Sequence, residues 1–131
     1  MKDKRRVIKF RAMDWQGRWH YGNLTILTQD LPNAKSGYYI SNSIGVPFAY
    51  DVRPGTVGQF TGLLDKNGKE IYEKDIIDYL EDKCLLRWSN ICARYVLDCQ
   101  GSEARYFVNE ENVLDMFVIG NLYETSELVE P

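Results

Sequence analysis

Residues 57–77 constrain this chain more than any other stretch. They read Val57-Gly58-Gln59-Phe60-Thr61-Gly62-Leu63-Leu64-Asp65-Lys66-Asn67-Gly68-Lys69-Glu70-Ile71-Tyr72-Glu73-Lys74-Asp75-Ile76-Ile77. Apolar residues flank Asp65-Lys66-Asn67-Gly68 on both sides, a pattern of strand, sharp turn, strand. Asn-Gly favours positive φ at both central positions, which suits hairpin twist. Gly58 and Gly62 weaken the first strand and mark a bulge or a close backbone approach. A short polar turn at Glu73-Lys74-Asp75 then leads into a further strand, Ile76–Leu80.

The same rhythm continues on both sides. Ile8, Phe10 and Ala12 alternate with Lys9 and Arg11, the period of a half-buried strand. Asp14-Trp15-Gln16-Gly17 supplies a turn, and a strand near Arg18–Leu24 completes a hairpin. Residues 28–56 are dense in Asp, Asn, Ser, Gly and Pro, and only Tyr38-Tyr39-Ile40 suggests a short strand there. A binding loop has room to sit in this stretch. After a turn at Glu81-Asp82-Lys83, strands are expected at Cys84–Trp88 and Ala93–Asp98, parted by Ser89-Asn90. Further strands fit Arg105–Val108 and Phe117–Tyr123. Asn109 is placed to cap a short helical turn through Asp115, and Ser126–Val129 to make a last one. Strands at about ten-residue intervals indicate a small antiparallel barrel or sandwich.

At 131 residues the chain fits one domain, or one domain plus a small appendage, and its 44% hydrophobic and 27% charged residues are those of a globular protein. The division expected is 1–56, a β-hairpin with an irregular loop region, and 57–131, a barrel-like domain. A net charge of −3 gives no global attraction to nucleic acid or anionic lipid. The charge is uneven, however. Lys2, Lys4, Arg5, Arg6, Lys9 and Arg11 crowd the start, whereas residues 110–131 carry six acids and no Lys or Arg. Such ends are solvated faces, or they attract each other within or between subunits. No apolar run reaches membrane-spanning length and no apolar segment follows the basic start, so a cytosolic protein without a membrane anchor is expected.

Residue types for catalysis do not assemble. His20 is the only histidine and lies between Trp19 and Tyr21 in an expected strand, where packing or surface exposure is its ordinary role. Cys84, Cys92 and Cys99 form no C-x-x-C pair and sit far from His20, so free buried thiols are expected rather than zinc ligands. A calcium loop with Gly68 at its sixth position would put Leu63 first and Lys74 twelfth, and neither is a ligand. Glu70, Glu73, Asp75 and Asp78 lie among lysines on turns, where a polar turn is the simpler reading than an acid/base pair. Asp75 suits a local role, accepting backbone N–H groups where a strand begins. No phosphate-binding glycine loop occurs. No catalytic residue, metal site or cofactor is therefore expected.

One constellation suits binding. Arg87-Trp88, Arg94-Tyr95 and Arg105-Tyr106 repeat an Arg-aromatic pair in successive expected strands. Neighbours in a strand point to opposite faces, so each pair puts its aromatic on one face and its guanidinium on the other. Arg87, Arg94 and Arg105, with Lys4, Arg5 and Arg6 of the basic start, are the candidate interaction residues. Plain sheet amphipathicity explains the same pattern. Separation of arginines from aromatics also argues against single-strand stacking, which needs both types together.

Three blocks carry a family likeness: Ile8-Lys9-Phe10-Arg11-Ala12-Met13-Asp14, the segment Val57–Ile77, and Val118-Ile119-Gly120-Asn121-Leu122-Tyr123-Glu124 followed by Glu127-Leu128. In order and spacing they resemble the YopX family, small proteins of bacteriophages and prophages. That family commonly carries Trp where Met13 stands and Gly where Lys74 stands. The resemblance implies a mostly-β protein whose C-terminal part is an SH3-type barrel, and it brings no catalytic residues. Together these readings point to a non-enzymatic accessory protein that forms a homo-oligomer and contacts host or phage proteins. A nucleic-acid-binding module using the Arg stripe and the basic arm is the alternative.

Overall fold

A computed structural model describes residues 6–42, 49–101, 103 and 105–130. Lys4 and Arg5 lie outside the described residues; Arg6 is exposed. The described residues form eleven strands and three 3-10 turns, with no α-helix. The chain separates into two compact units, residues 1–59 and 60–131.

In the first unit β1 (Phe10–Met13), β2 (Trp19–Leu27), β3 (Gly37–Ser41) and β4 (Ala49–Val52) pair antiparallel in the order β4-β3-β2-β1. Gly58 and Gln59, the start of β5 (Gly58–Leu64), pair along the free side of β1. The register sets Ala12 opposite His20, Leu24 opposite Ile40, and Ile40 opposite Tyr50. Ala12, Ile40 and Val52 become the buried centre, with Phe10, Leu24, Tyr38, Tyr50 and Val57 around them. Strand β4 corrects the sequence reading, which left residues 49–52 as loop. Its four residues are too few to show a period, and Pro54-Gly55 beside them read as a breaker. Pairing with β3 (Tyr38 opposite Val52) supplies the order that local propensity does not.

In the second unit β5 runs into a hairpin with β6 (Glu70–Tyr72), and a five-stranded antiparallel sheet follows. Its order is β10-β9-β8-β7-β11, from β7 (Asp75–Tyr79), β8 (Asp82–Ser89), β9 (Arg94–Cys99), β10 (Arg105–Phe107) and β11 (Met116–Asn121). The sheet has two edge strands, so of the barrel or sandwich expected from the strand spacing no closed barrel forms. Ile77, Cys84, Leu86, Leu97, Cys99 and Met116 fill the core on one face with Ile71 and Val113. The bulge that the β5 glycines suggested is present. The β5–β6 register shifts between Phe60 and Leu64, and Gly62 takes φ 87°, a conformation that a side chain resists. Asn109 caps as expected, its carboxamide accepting the Glu111 and Asn112 N–H groups at 3.0 and 2.8 Å.

Three local expectations are corrected. In the Asp65–Gly68 turn only Gly68 has positive φ, at 81°. The Asp65 carboxylate accepts the Asn67 and Lys69 N–H groups at 2.8 and 2.9 Å, which holds Asn67 in ordinary turn geometry. Its other oxygen accepts Val118 N–H at 2.9 Å, so the hairpin is tied to β11. Next, the turn after β7 falls at Leu80 and Glu81 (φ 51° and 74°), one residue earlier than the polar stretch Glu81-Asp82-Lys83 suggested, and Asp82 and Lys83 already belong to β8. Finally, Cys84 and Cys99 are not free thiols: they form a disulfide, and only Cys92 is free, exposed rather than buried. A turn centred on Ser89-Asn90 would set Cys84 opposite Tyr95. The actual turn lies two residues further on and pairs Ser89 with Arg94, which brings Cys84 opposite Cys99 with Cα atoms 4.0 Å apart.

Candidate functional site

Two places gather chemically capable side chains, one in each unit. The first is built on the β1–β2 turn. Asp14 closes that turn as Asp65 closes the later one. Its Oδ1 accepts the Gln16 and Arg18 N–H groups at 2.9 and 3.0 Å, its carbonyl accepts Gly17 N–H, and its own N–H reaches the Arg18 carbonyl. The two turns, Asp14-Trp15-Gln16-Gly17-Arg18 and Asp65-Lys66-Asn67-Gly68-Lys69, are the same device written twice in the sequence. What differs is the remaining oxygen. Asp65 spends it on backbone, whereas Asp14 Oδ2 faces Arg18 Nε at 2.9 Å and His20 Nε2 at 2.8 Å. The His20 ring stacks on Tyr50, centroids 3.8 Å apart. Asp14 is held well below the ordinary aspartate range, first by the His20 hydrogen bond and then by the Arg18 N–H.

A shallow cleft of about 270 Å³ opens beside this cluster, lined by Asp14, Trp15, Gln16, Arg18, Tyr50 and Asp51 together with Ala49. Trp15 is 65% exposed, and its indole N–H donates to Asp51 Oδ1 at 3.2 Å. Sequence reading missed this cleft. It took residues 14–17 only as a turn and could not pair them with β4, which it had not found. A second hollow of about 310 Å³ uses Thr25, Leu27, Tyr39 and Ser41, roofed by Asn33 and Ala34 of the irregular loop.

The second place is the outer face of the five-stranded sheet. Register puts Arg87 opposite Val96, Arg94 opposite Ser89, and Arg105 opposite Asp98, so all three arginines share one face. Their aromatic neighbours share the other, where Trp88 meets Tyr95 edge-on at 5.1 Å and Tyr106 meets Tyr79 at 5.0 Å. The face is less bare than the sequence suggests. Asp98 sits between Arg87 and Arg105, contacting Nε of both, at 3.4 Å in the case of Arg105. That carboxylate also pushes the Arg87 pKa up. Arg94 lies 3.6 Å over the ring of Phe107, which is 43% exposed on the same face. The inference that arginines and aromatics are kept apart is therefore corrected. Phe107, two residues past Arg105, returns to the arginine side by strand alternation.

The remaining sequence candidates have structural roles. Asp75 is buried rather than exposed, and accepts Tyr72 N–H at 2.8 Å where β7 begins. Glu70 accepts the Tyr72 hydroxyl. With Cys84 and Cys99 joined, three cysteines and a histidine cannot form a zinc set. No helix among the described residues is long and apolar enough to cross a membrane.

The fold and these two places define a small mostly-β protein of two units built from antiparallel strands, each with polar side chains gathered on an exposed surface. A family model described as YopX protein matches residues 9–130, and the chain belongs to the YopX family. No curated protein matches the chain.

Proposed function

We propose that this protein is a phage or prophage accessory factor that works in the host cytosol through contacts rather than catalysis, and that it self-associates. On this reading the second unit is an opened relative of the SH3-type sheet. The observation that carries it is the arginine face. Arg94 has Phe107 as a ring partner and no carboxylate among the described residues, and Arg105 shares Asp98 with Arg87. The same chain carries an acidic C-terminal stretch in which Glu127 and Glu130 make no ion pair among the described residues. Three arginines that share a single carboxylate leave positive charge in excess on this face, and acids such as Glu127 and Glu130 can balance it between copies through contacts that weaken with salt. Light scattering after size-exclusion chromatography is the test. Assembly at low salt that falls in Arg94→Glu/Arg105→Glu supports the reading, and a monomer at high micromolar concentration rejects it.

A second reading follows from Phe107. An exposed ring beside Arg94 and Arg105 is the combination on which single-stranded nucleic acid stacks. Binding should weaken steeply with salt, and no shift at low salt removes this reading.

A further inference from the structure

The cleft of the first unit presents three kinds of group around one flat surface. Trp15 offers its ring, tethered at the indole edge by Asp51 Oδ1. Asp51 Oδ2 has no partner among the described residues. Arg18 uses Nε on Asp14 and Nη2 on Gln16 Oε1, which leaves Nη1 and the Gln16 amide N–H groups as donors. Arg18 and Asp51 line the same cleft without pairing with each other. A well-matched ligand therefore needs a planar face for Trp15, a donor edge for Asp51, and an acceptor edge for Arg18 and Gln16.

Simple ions satisfy only part of this. A guanidinium or ammonium group suits Trp15 and Asp51 but meets the charge of Arg18 and leaves its donors idle. A phosphate suits Arg18 but finds a carboxylate and an indole beside it. A guanine base meets every requirement. Its N1–H and 2-amino group are adjacent donors, its O6 and N7 are adjacent acceptors, and its ring stacks on an aromatic side chain. Adenine lacks the donor pair beside an acceptor, so Asp51 would face a ring nitrogen lone pair.

We propose that the cleft formed by Trp15, Gln16, Arg18 and Asp51 binds a guanine base, with Trp15 as the stacking surface, Asp51 as acceptor and Arg18 as donor. Asp14 also lines the cleft, and its bonds to Arg18 and His20 fix the donor's position. A guanine arrives either as a free nucleotide or as a base splayed from a single strand, and the cleft chemistry is common to both. This site lies in a different unit from the arginine face.

The test is calorimetric titration of the full chain with GMP, AMP, arginine amide and short single-stranded RNAs with and without one guanine. GMP is expected to bind saturably, about fivefold or more tighter than AMP, as one matched base edge is worth about 1–3 kcal/mol. Asp51→Asn should erase that preference and Trp15→Ala should abolish binding. Both residues are exposed, and an unchanged amide NMR spectrum away from the cleft shows that the variants fold. A guanine-containing RNA tighter than GMP identifies a strand as the source, and the reverse identifies a nucleotide. Absence of saturable GMP binding at about 1 mM, equal affinity for AMP, or full affinity in Asp51→Asn overturns the proposal. Light scattering on the same samples reads self-association separately, so failure of one reading does not carry the other with it.

Discussion

Joining Cys84 to Cys99 should be the largest single stabilisation of the second unit. The bridge spans 15 residues of sequence and links two strands already paired in register. A closed loop of that size removes chain entropy from the unfolded state worth about 3 kcal/mol. Against the marginal stability of a domain this size that is a large share. It corresponds to roughly 12–24 °C in midpoint if the whole effect is expressed. Both sulfurs sit in the core, so reduction adds two buried thiols without opening a cavity, and the chain-entropy figure should dominate. The assay is urea unfolding of oxidised protein, reduced protein and the Cys84→Ala/Cys99→Ala variant, beside thiol titration in denaturant. One reactive thiol per chain, from Cys92, is expected before reduction and three after. The reduced protein should unfold at a lower urea concentration than the oxidised one, and the double variant, which also removes two buried sulfurs, at a concentration no higher than the reduced protein. Three reactive thiols without reductant, or equal midpoints with and without reductant, would refute the reasoning. The outcome also bears on compartment, because a reducing cytosol disfavours such bridges.

Two further predictions rest on single residues. Because Asp14 titrates below its unfolded value of 3.8, its contribution to stability is complete above that pH and is lost as pH falls toward the folded value. Asp14→Asn should thus be destabilised at pH 7, with the gap to wild type narrowing below about pH 4 in paired denaturation curves; a gap independent of pH would contradict this. Lys74 sits at φ 70°, while its N–H and C=O hold Leu86 and Leu122. Lys74→Gly relieves the left-handed strain without touching those bonds and should stabilise by about 1 kcal/mol, read as a raised melting temperature; a lowered one would show that the Lys74 side chain contributes more than the strain costs.

Lys74 also shows why a family likeness can be physically legible. Lys74 takes φ 70°, the left-handed region that favours glycine, which is the residue the resemblance implies at this position. Strand alternation was equally legible. It set each of Arg87, Arg94 and Arg105 on the face opposite its aromatic neighbour; only the registers of β8, β9 and β10 decide that the three share one face. The Asp65 turn was found as a turn but assigned the wrong geometry, because residue preference at Asn67-Gly68 does not include the pull of the Asp65 carboxylate. The cleft was not legible, since it needs β4, and β4 exists only because β3 pairs with it.

By itself the sequence determined the β class, the hairpin around Asp65–Gly68 and the two-faced character of the second sheet. Each of these depends on neighbours within a few residues, through alternation and turn chemistry. Tertiary structure alone decided that Cys84 meets Cys99, that Phe107 lies under Arg94, and that Trp15 meets Asp51 across 36 residues of chain. Those meetings depend on strand register and order. A two-residue displacement of a turn moves every pairing beyond it, and no local preference records the choice.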